Sequence, residues 1–378
     1  MSSELPYLLN TNSGSFQRSR SQLPNSPAIL PPIPNSIQRY PTLALQETKK
    51  PRPLGFRNLG NTCYQNSVFQ AVLNLETLSE SLADLNDMSS LVGCLQELLR
   101  ERDNFSGLPS NGSVQDGRRV RECLKSRMWR GREQQDALEF YLALVDQLFD
   151  EIKIGNFCKN FRGMLVTKTR CGRCQTTSTQ KDPFFVIPLP IDSGNSLEEA
   201  LRQFQSDETL EGHNSYACER CRAKTEASKA LEFQELPEVL VFAFKRFRWT
   251  NQGRCEKNGK YMKFPINNLI VPCTGNSLGK KYDLMATVHH KGASTDSGHY
   301  TAHVRRDNKW YHCDDSQVSE VADVGSASVV AADTYLLFYQ TVGSGRATRG
   351  TASGLSKSML LQHQNHRQFS LSCLLQCL

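Results

Sequence analysis

Residues 54–75 read Leu54-Gly-Phe-Arg-Asn58-Leu-Gly-Asn-Thr-Cys63-Tyr-Gln-Asn-Ser-Val68-Phe-Gln-Ala-Val-Leu-Asn-Leu75. A Gly-containing loop runs into apolar positions Val68, Phe69, Val72 and Leu75 at helical spacing. Thr62 is the expected N-cap, with Gln65 completing a capping box. That places Cys63 in the first helical turn. Backbone N–H groups and the positive helix end there are expected to lower the thiol pKa, as a nucleophile requires.

Working outward, Leu138, Tyr141, Leu142, Val145 and Leu148 repeat with the same helical period. From about Phe161 the pattern turns to strands. Val239–Phe244 and Tyr335–Tyr339 are continuous apolar runs. Helices first and strands later point to an α+β fold. Residues 1–53 are Ser/Pro-rich, with Leu30-Pro-Pro-Ile-Pro34, and read as a disordered arm. Residues 341–378 read as a disordered basic tail. A folded region over 54–340 lies between them.

The 378 residues carry a formal charge of +7. Six Lys/Arg against two Asp/Glu in residues 1–54 give +4, and four Lys/Arg with no acid in 341–378 give another +4. The middle is left near −1, from 35 bases and 36 acids. A nucleic-acid binder would concentrate its bases in the folded part, so no specific nucleic-acid partner is expected. No run approaches the roughly 18 apolar residues of a membrane span. No signal peptide opens the chain, so an intracellular location, cytoplasmic or nuclear, is expected.

The second chemical signal lies far downstream. Tyr282–His290 reads as a strand, Lys291–Gly298 as a Gly/Ser-rich loop, and 299–316 as a hairpin turning at Asp307-Asn308. With that turn, paired residue numbers sum to 615. Asp314 then sits diagonal to His299 on one face, within hydrogen-bonding reach. A slip of one residue would favour Asp315. A His held by an Asp next to Gly298 suits activation of a thiol. His289, His290, His303 and His312 read as surface or sheet-filling residues.

Two Cys-x-x-Cys pairs, Cys171/Cys174 and Cys218/Cys221, fit two hairpin tips meeting at one ion. Four thiolates satisfy tetrahedral zinc and leave no open position, so one structural zinc and no catalytic cofactor are expected. Cys94, Cys123, Cys158, Cys255, Cys273 and Cys313 show no spacing logic and read as ordinary thiols. Asp136 and Glu139 share a face at the start of the second helix. Acids there also simply complement the helix dipole.

Together these motifs resemble the ubiquitin-specific protease family of cysteine deubiquitinases. The resemblance covers about 54–340. It includes the stretch around Cys63, Gln134-Gln-Asp-Ala-Leu-Glu-Phe140, Leu236-Pro-Glu-Val-Leu240, Lys245-Arg-Phe247, Gly298-His-Tyr300, Trp310-Tyr-His-Cys-Asp-Asp315 and Tyr335–Tyr339. It implies a papain-like fold with a helical thumb over about 55–155. Zinc-bearing β fingers would span about 161–225 and a β-rich palm about 226–340. It implies Cys63 as nucleophile, His299 as general base, Asp314 as its orienter and Asn58 as an oxyanion donor. Asp136 and Glu139 would receive the arginines of the ubiquitin tail. The implied partners are ubiquitin and ubiquitinated proteins, met by a monomeric catalytic domain. Gln65, His312-Cys313 and Phe242-Ala-Phe244 depart from the family pattern, and Cys313 stands where it could loosen Asp314. Two rival functions remain: a catalytically weak ubiquitin-binding scaffold, and an isopeptidase for a ubiquitin-like modifier.

Overall fold

The computed structural model describes residues 52–83, 85, 90–104, 114–152, 157–250, 253, 255–294, 297–322 and 332–342. The expected arm and tail fall almost wholly outside them.

Six helices build the thumb: α1 Cys63–Leu73, α2 Glu76–Leu82, α3 Leu91–Asp103, α4 Arg118–Cys123, α5 Ala137–Glu151 and α6 Phe157–Phe161. A seventh, α7 Leu197–Phe204, packs beside the palm sheet. All eleven residues of α1 are buried, so it is a central rather than a surface helix. Its polar side chains therefore need internal partners. Gln70 Nε2 donates to Leu54 O at 2.6 Å, Ser67 Oγ to Tyr64 O at 2.9 Å, and Asn66 Nδ2 to Arg57 O at 3.3 Å. Two of these bonds tie the 54–57 segment to the helix that follows it. Tyr64, Phe69 and Trp129 pack around Phe140 with ring centroids 5.3–5.6 Å apart, which seats α5 on α1.

The palm is an eight-stranded sheet. Its main path runs Gln317–Val321, Lys309–Asp314, Ser297–Arg306, Asn276–Ser294, Thr334–Thr341, Val239–Phe244, Ile187–Leu189, with Leu269–Cys273 also on Asn276–Ser294. Only the Val239–Phe244/Ile187–Leu189 pair is parallel. The two apolar runs read from the sequence are neighbours, with Leu240 opposite Tyr339. Every residue of Val239–Phe244 is buried, because α1, α5 and α6 cover one face of the sheet and a second apolar cluster with α7 covers the other. The strand Thr334–Thr341, last in the chain among the described residues, thus sits in the middle of the sheet.

The hairpin after Ser297 has the expected register: Ala302 pairs with Cys313 and His303 with His312. Asp307 (φ 48°) and Asn308 (φ 61°) are both left-handed, as a two-residue turn matching strand twist requires. The expected Lys291–Gly298 loop is instead hairpin. Lys291 pairs with His299 and Ser294 with Ser297, and only 295 and 296 lie outside the described residues.

The fingers are a four-stranded antiparallel sheet: Thr177–Phe184, Gly163–Cys171, Ala227–Glu235 and Glu208–Leu210. Ala227–Glu235 pairs with Gly163–Cys171 along its length, so this sheet extends to 235 rather than ending near 225. Conversely, Ile187–Leu189 joins the palm sheet although it falls within the expected finger span. The chain changes sheet three times, from fingers to palm at Ile187–Leu189, back at Glu208–Leu210 and again to the palm at Val239–Phe244, which a linear division at 225 does not allow for.

Candidate active site

Cys63 opens α1 and is 3% exposed. The loop before it is shaped by Asn58, whose Oδ1 accepts from Gly60 N–H at 2.9 Å and Thr62 N–H at 3.2 Å. Gly60 (φ 101°) and Asn61 (φ 52°) take left-handed conformations to close that turn. The expected capping box does not form. Thr62 Oγ1 accepts from Leu59 N–H at 2.9 Å, and Gln65 Nε2 donates to Tyr64 Oη at 2.8 Å and Trp129 O at 3.2 Å. The turn that presents Cys63 uses up the capping hydroxyl.

His299 lies on the strand beside α1, and its Nε2 is 2.6 Å from Asp314 Oδ1. This leaves Nδ1 as the ring nitrogen open to a proton transfer. The alternative acid, Asp315, also comes within 4.8 Å of His299, but its hydrogen bonds go to other partners. Its Oδ1 accepts from Asn66 Nδ2 and its Oδ2 from Asn58 Nδ2, each at 2.8 Å. Asp315 is left-handed (φ 46°), and its carbonyl accepts from Phe56 N–H at 2.7 Å. A methyl on Gly55 would overlap the Ser316 carbonyl, so the absent side chain lets the 55–56 strand press against this turn. With Oδ1 taken by backbone donors and one Nδ2 hydrogen by Asp315, Asn58 keeps one N–H to offer.

The Cys63 thiol is pushed up, not down as its helix position suggested. Burial is the largest cause. The Asp315 charge adds to it, and backbone N–H groups of Tyr300, Tyr64 and Cys63 oppose it. Among the described residues no hydrogen bond joins the thiol to His299. Helix α1, which opens with Cys63, nevertheless packs against the Ser297–Arg306 strand that carries His299.

Asp136 is the N-cap of α5. Its Oδ1 accepts from Leu138 N–H at 2.7 Å and Glu139 N–H at 3.1 Å. Tyr335 Oη donates to both carboxylate oxygens, at 3.2 and 3.0 Å, and Tyr300 Oη reaches Oδ2 at 3.5 Å. Burial still pushes this carboxyl up, and raises Glu139 too, with the Asp136 charge as the second cause. Asp136 is thus a cap and a thumb-to-palm tie. Asn66, Tyr300 and Tyr335 had no role assigned from the sequence. Their position one helical turn past Cys63, beside His299 and at the start of the last strand was the available signal.

The four predicted metal ligands converge: the sulfurs of Cys171, Cys174, Cys218 and Cys221 all lie within 4.8 Å of one another. Cys171–Cys221 is 3.9 Å and Cys174–Cys218 3.6 Å. Sulfurs about 2.3 Å from a tetrahedral ion would sit roughly 3.8 Å apart, so the cluster fits one. Each pair lies at a hairpin tip turned by a left-handed residue, Gln175 (φ 58°) or Arg222 (φ 52°).

The remaining histidines and cysteines fall as follows. Of the two readings open for His289, His290 and His303, the sheet-filling one holds, since all three are buried within the palm sheet. His289 Nε2 contacts Thr287 Oγ1 at 2.7 Å and His303 Nδ1 at 3.0 Å, while its Nδ1 lies 3.3 Å from Asp333. Burial drives His303 down to about 2 and His290 to about 4, so both are neutral. Cys313 does not disturb Asp314. It is a buried filler opposite Ala302, and its thiol is pushed far up by burial. Cys94 and Cys123 are not isolated thiols, since their sulfurs are 3.0 Å apart.

A buried cysteine at a helix start, beside a hairpin that carries a His–Asp pair across its two strands, on an α+β hand defines a papain-like thiol hydrolase. The chain belongs to the ubiquitin carboxyl-terminal hydrolase family, whose model matches residues 54–339. Ubiquitin carboxyl-terminal hydrolase 4 of Arabidopsis thaliana is 28% identical over 348 residues, spanning 78% of this chain and 94% of that protein. Ubiquitin carboxyl-terminal hydrolase 3 of Homo sapiens is 30% identical over 353 residues, spanning 75% and 67%. A SAGA DUB module of Ubp8, Sgf11, Sus1 and Sgf73 bound to monoubiquitin aligns with a TM-score of 0.66. The identity is 25%, with coverage of 79% of this chain and 72% of that one. This chain is a cysteine-type deubiquitinase. Among the described residues no helix is long and apolar enough to cross a membrane.

Proposed function

We propose that this chain hydrolyses the isopeptide or peptide bond at the C-terminal glycine of ubiquitin through a thioester on Cys63. The observation that carries the assignment of roles is the His299 Nε2–Asp314 pair at 2.6 Å, with His299 on the strand packed against the helix that Cys63 opens. The thiol gives its proton to His299 Nδ1, and the thiolate attacks the scissile carbonyl carbon. The remaining N–H of Asn58 Nδ2 and the backbone N–H of Cys63 receive the oxyanion. The imidazolium protonates the leaving lysine amine, then as a base activates water to hydrolyse the thioester. Glu139 is the acid left free for an arginine of the ubiquitin tail. The second carboxylate oxygen of Asp136 flanks it. The cysteine cluster takes one structural zinc, held by Cys171, Cys174, Cys218 and Cys221. It serves to fasten the finger tips and takes no part in the reaction. Thiol ligands and a thiol nucleophile suit the reducing interior of the cell.

The test is reaction with ubiquitin carrying a C-terminal electrophile. A one-ubiquitin adduct that is lost in Cys63→Ala supports the reading. Faster modification by a ubiquitin-like protein would overturn the substrate assignment. The raised Cys63 thiol, which no hydrogen bond joins to His299 among the described residues, favours one second reading, a ubiquitin-binding scaffold. That reading requires ubiquitin to bind without any adduct forming and the thiol to stay unreactive at neutral pH when ubiquitin is bound.

A further inference from the structure

Cys94 lies in the first turn of α3, and Cys123 is the last residue of α4. Their sulfurs stand 3.0 Å apart. The zinc-type sulfurs of the same molecule keep 3.6 and 3.9 Å. Metal sharing does not account for the closer pair. Among the described residues, the clusters of three or more ligating groups are the four finger cysteines and His299 with its two acids, and neither includes Cys94 or Cys123. Two thiols facing each other with no third ligand have dithiol–disulfide chemistry available to them.

Access and order of reaction follow from the surroundings. Cys94 is 3% exposed, whereas Cys123 is only half-buried. That partial exposure makes Cys123 the sulfur a hydroperoxide meets first, while a cavity of about 280 Å³ lined by Glu97, Asp116, Arg118 and Arg119 among others adjoins Cys94. Burial, and after it the neighbouring Cys123, hold the Cys94 thiol up at about 12.

We propose that Cys94 and Cys123 are a redox modification site, closing to a disulfide that clamps α3 to α4 when the protein meets a hydroperoxide. The Cys123 thiolate attacks the peroxide oxygen. The O–O bond breaks, the leaving oxygen takes a proton and departs as water or alcohol, and Cys123 becomes a sulfenic acid. The Cys94 sulfur then attacks the sulfenic sulfur. The S–O bond breaks, and the hydroxide combines with the Cys94 proton to leave as water. Two thiols lose two electrons and two protons to one peroxide. In a reducing compartment the pair rests as the dithiol, and thiol exchange restores it.

What the clamp would hold is the support behind the nucleophile. Arg121 of α4 donates from Nε to Trp129 O at 2.9 Å and from Nη2 to Gly131 O at 2.7 Å. Trp129 O also receives Gln65 of α1, and Arg132 O receives Asn61 Nδ2 at 3.0 Å. The Cys123 carbonyl accepts from Gln147 of α5 at 2.9 Å. A bond across α3 and α4 closes a covalent loop over 94–123, which removes freedom from the unfolded chain.

The experiment treats the full chain with an equivalent of hydrogen peroxide, blocks remaining thiols under denaturing conditions and maps the peptides by mass. The Cys63→Ala background keeps the nucleophile out of the count. The expected result is a linked 94/123 peptide, 2 Da below the sum of its parts. It should be abolished by dithiothreitol and missing from Cys123→Ala. The Tm of the oxidised protein should exceed that of the reduced protein by roughly 5 °C, a shift that Cys123→Ala does not show. Recovery of both cysteines as separately blocked peptides, or of Cys123 as a sulfinic acid, would overturn the site. A linked peptide with no rise in Tm would overturn the clamp.

Discussion

Asp315→Asn tests the assignment of the second acid. The wild-type carboxylate spends one oxygen on the buried Asn66 amide and the other on Asn58, both at 2.8 Å. An asparagine keeps one oxygen. Its amide turns that oxygen to Asn66, because a buried amide donor left unpaired costs about 1–3 kcal/mol. Its NH2 then faces the Asn58 NH2, donor against donor, and Asn58 loses its anchor. The loss lies between about 1.5 kcal/mol, the lower end for a charge-assisted bond, and about 2.7 kcal/mol, the lower end for an absent oxyanion donor. This predicts a roughly 10- to 100-fold fall in kcat with KM little changed. The pH profile moves independently. The Asp315 charge raises the Cys63 thiol, so removing it brings the thiol down and shifts the acid limb to lower pH. Steady-state hydrolysis of ubiquitin bearing a C-terminal fluorogenic amide, from pH 5.5 to 9, reads both effects. If kcat stays within twofold of wild type while Asp314→Asn loses activity, Asn58 is not oriented by Asp315 and the argument fails.

Three further outcomes are expected. Gly55→Ala forces the Ser316 carbonyl away from the 55–56 strand, and overpacking of this kind costs about 1–3 kcal/mol. The displaced turn should carry Asp315 with it, lowering both Tm and kcat, and an unchanged kcat would separate the two. His290 at about 4 and His303 at about 2 are depressed below their unfolded value, so the unfolded chain binds more protons below pH 6.5. Stability is then full above pH 6.5 and falls as pH drops toward 5, by up to about 1.4 kcal/mol per pH unit for each histidine. Urea unfolding at several pH values checks it, and His303→Gln should flatten the slope. Stripping metal with a chelator should erase amide-exchange protection in Tyr216–Cys218 and Ala223–Thr225 while leaving Val239–Phe244 protected, because only the former hang on the cysteine cluster. Retained protection at the finger tips would refute a structural metal.

The hairpin was readable from sequence to the residue because a two-residue turn fixes the register and a strand pleat assigns faces. Asp314 therefore points to His299, and the next residue, Asp315, leaves the strand for the Asn58–Asn66 side. The cysteine pairs were readable because each needs only a tight turn to aim two sulfurs. What escaped depends on burial and on contacts between distant segments. Thr62 looks like a cap until the Leu59 N–H is seen to claim its hydroxyl. Cys63 looks activated until its desolvation is set against the helix end. The buried histidines are spread over two strands, and Cys94 meets Cys123 only because α3 and α4 pack together. No local pattern encodes those meetings.

The position of Thr334–Thr341 in the middle of the palm bears on how the enzyme is made. The ribosome delivers this strand after both of its neighbours, Val239–Phe244 and Asn276–Ser294. Until it arrives, those two strands present bare edges, one of them six consecutive apolar residues, to whatever else the nascent chain meets. Its Tyr335 hydroxyl also supplies the tie to Asp136, so the thumb and palm are not fully joined before synthesis of the domain is nearly finished. A chain cut short before residue 334 would lack that tie and leave both edges bare, so aggregation is its expected fate.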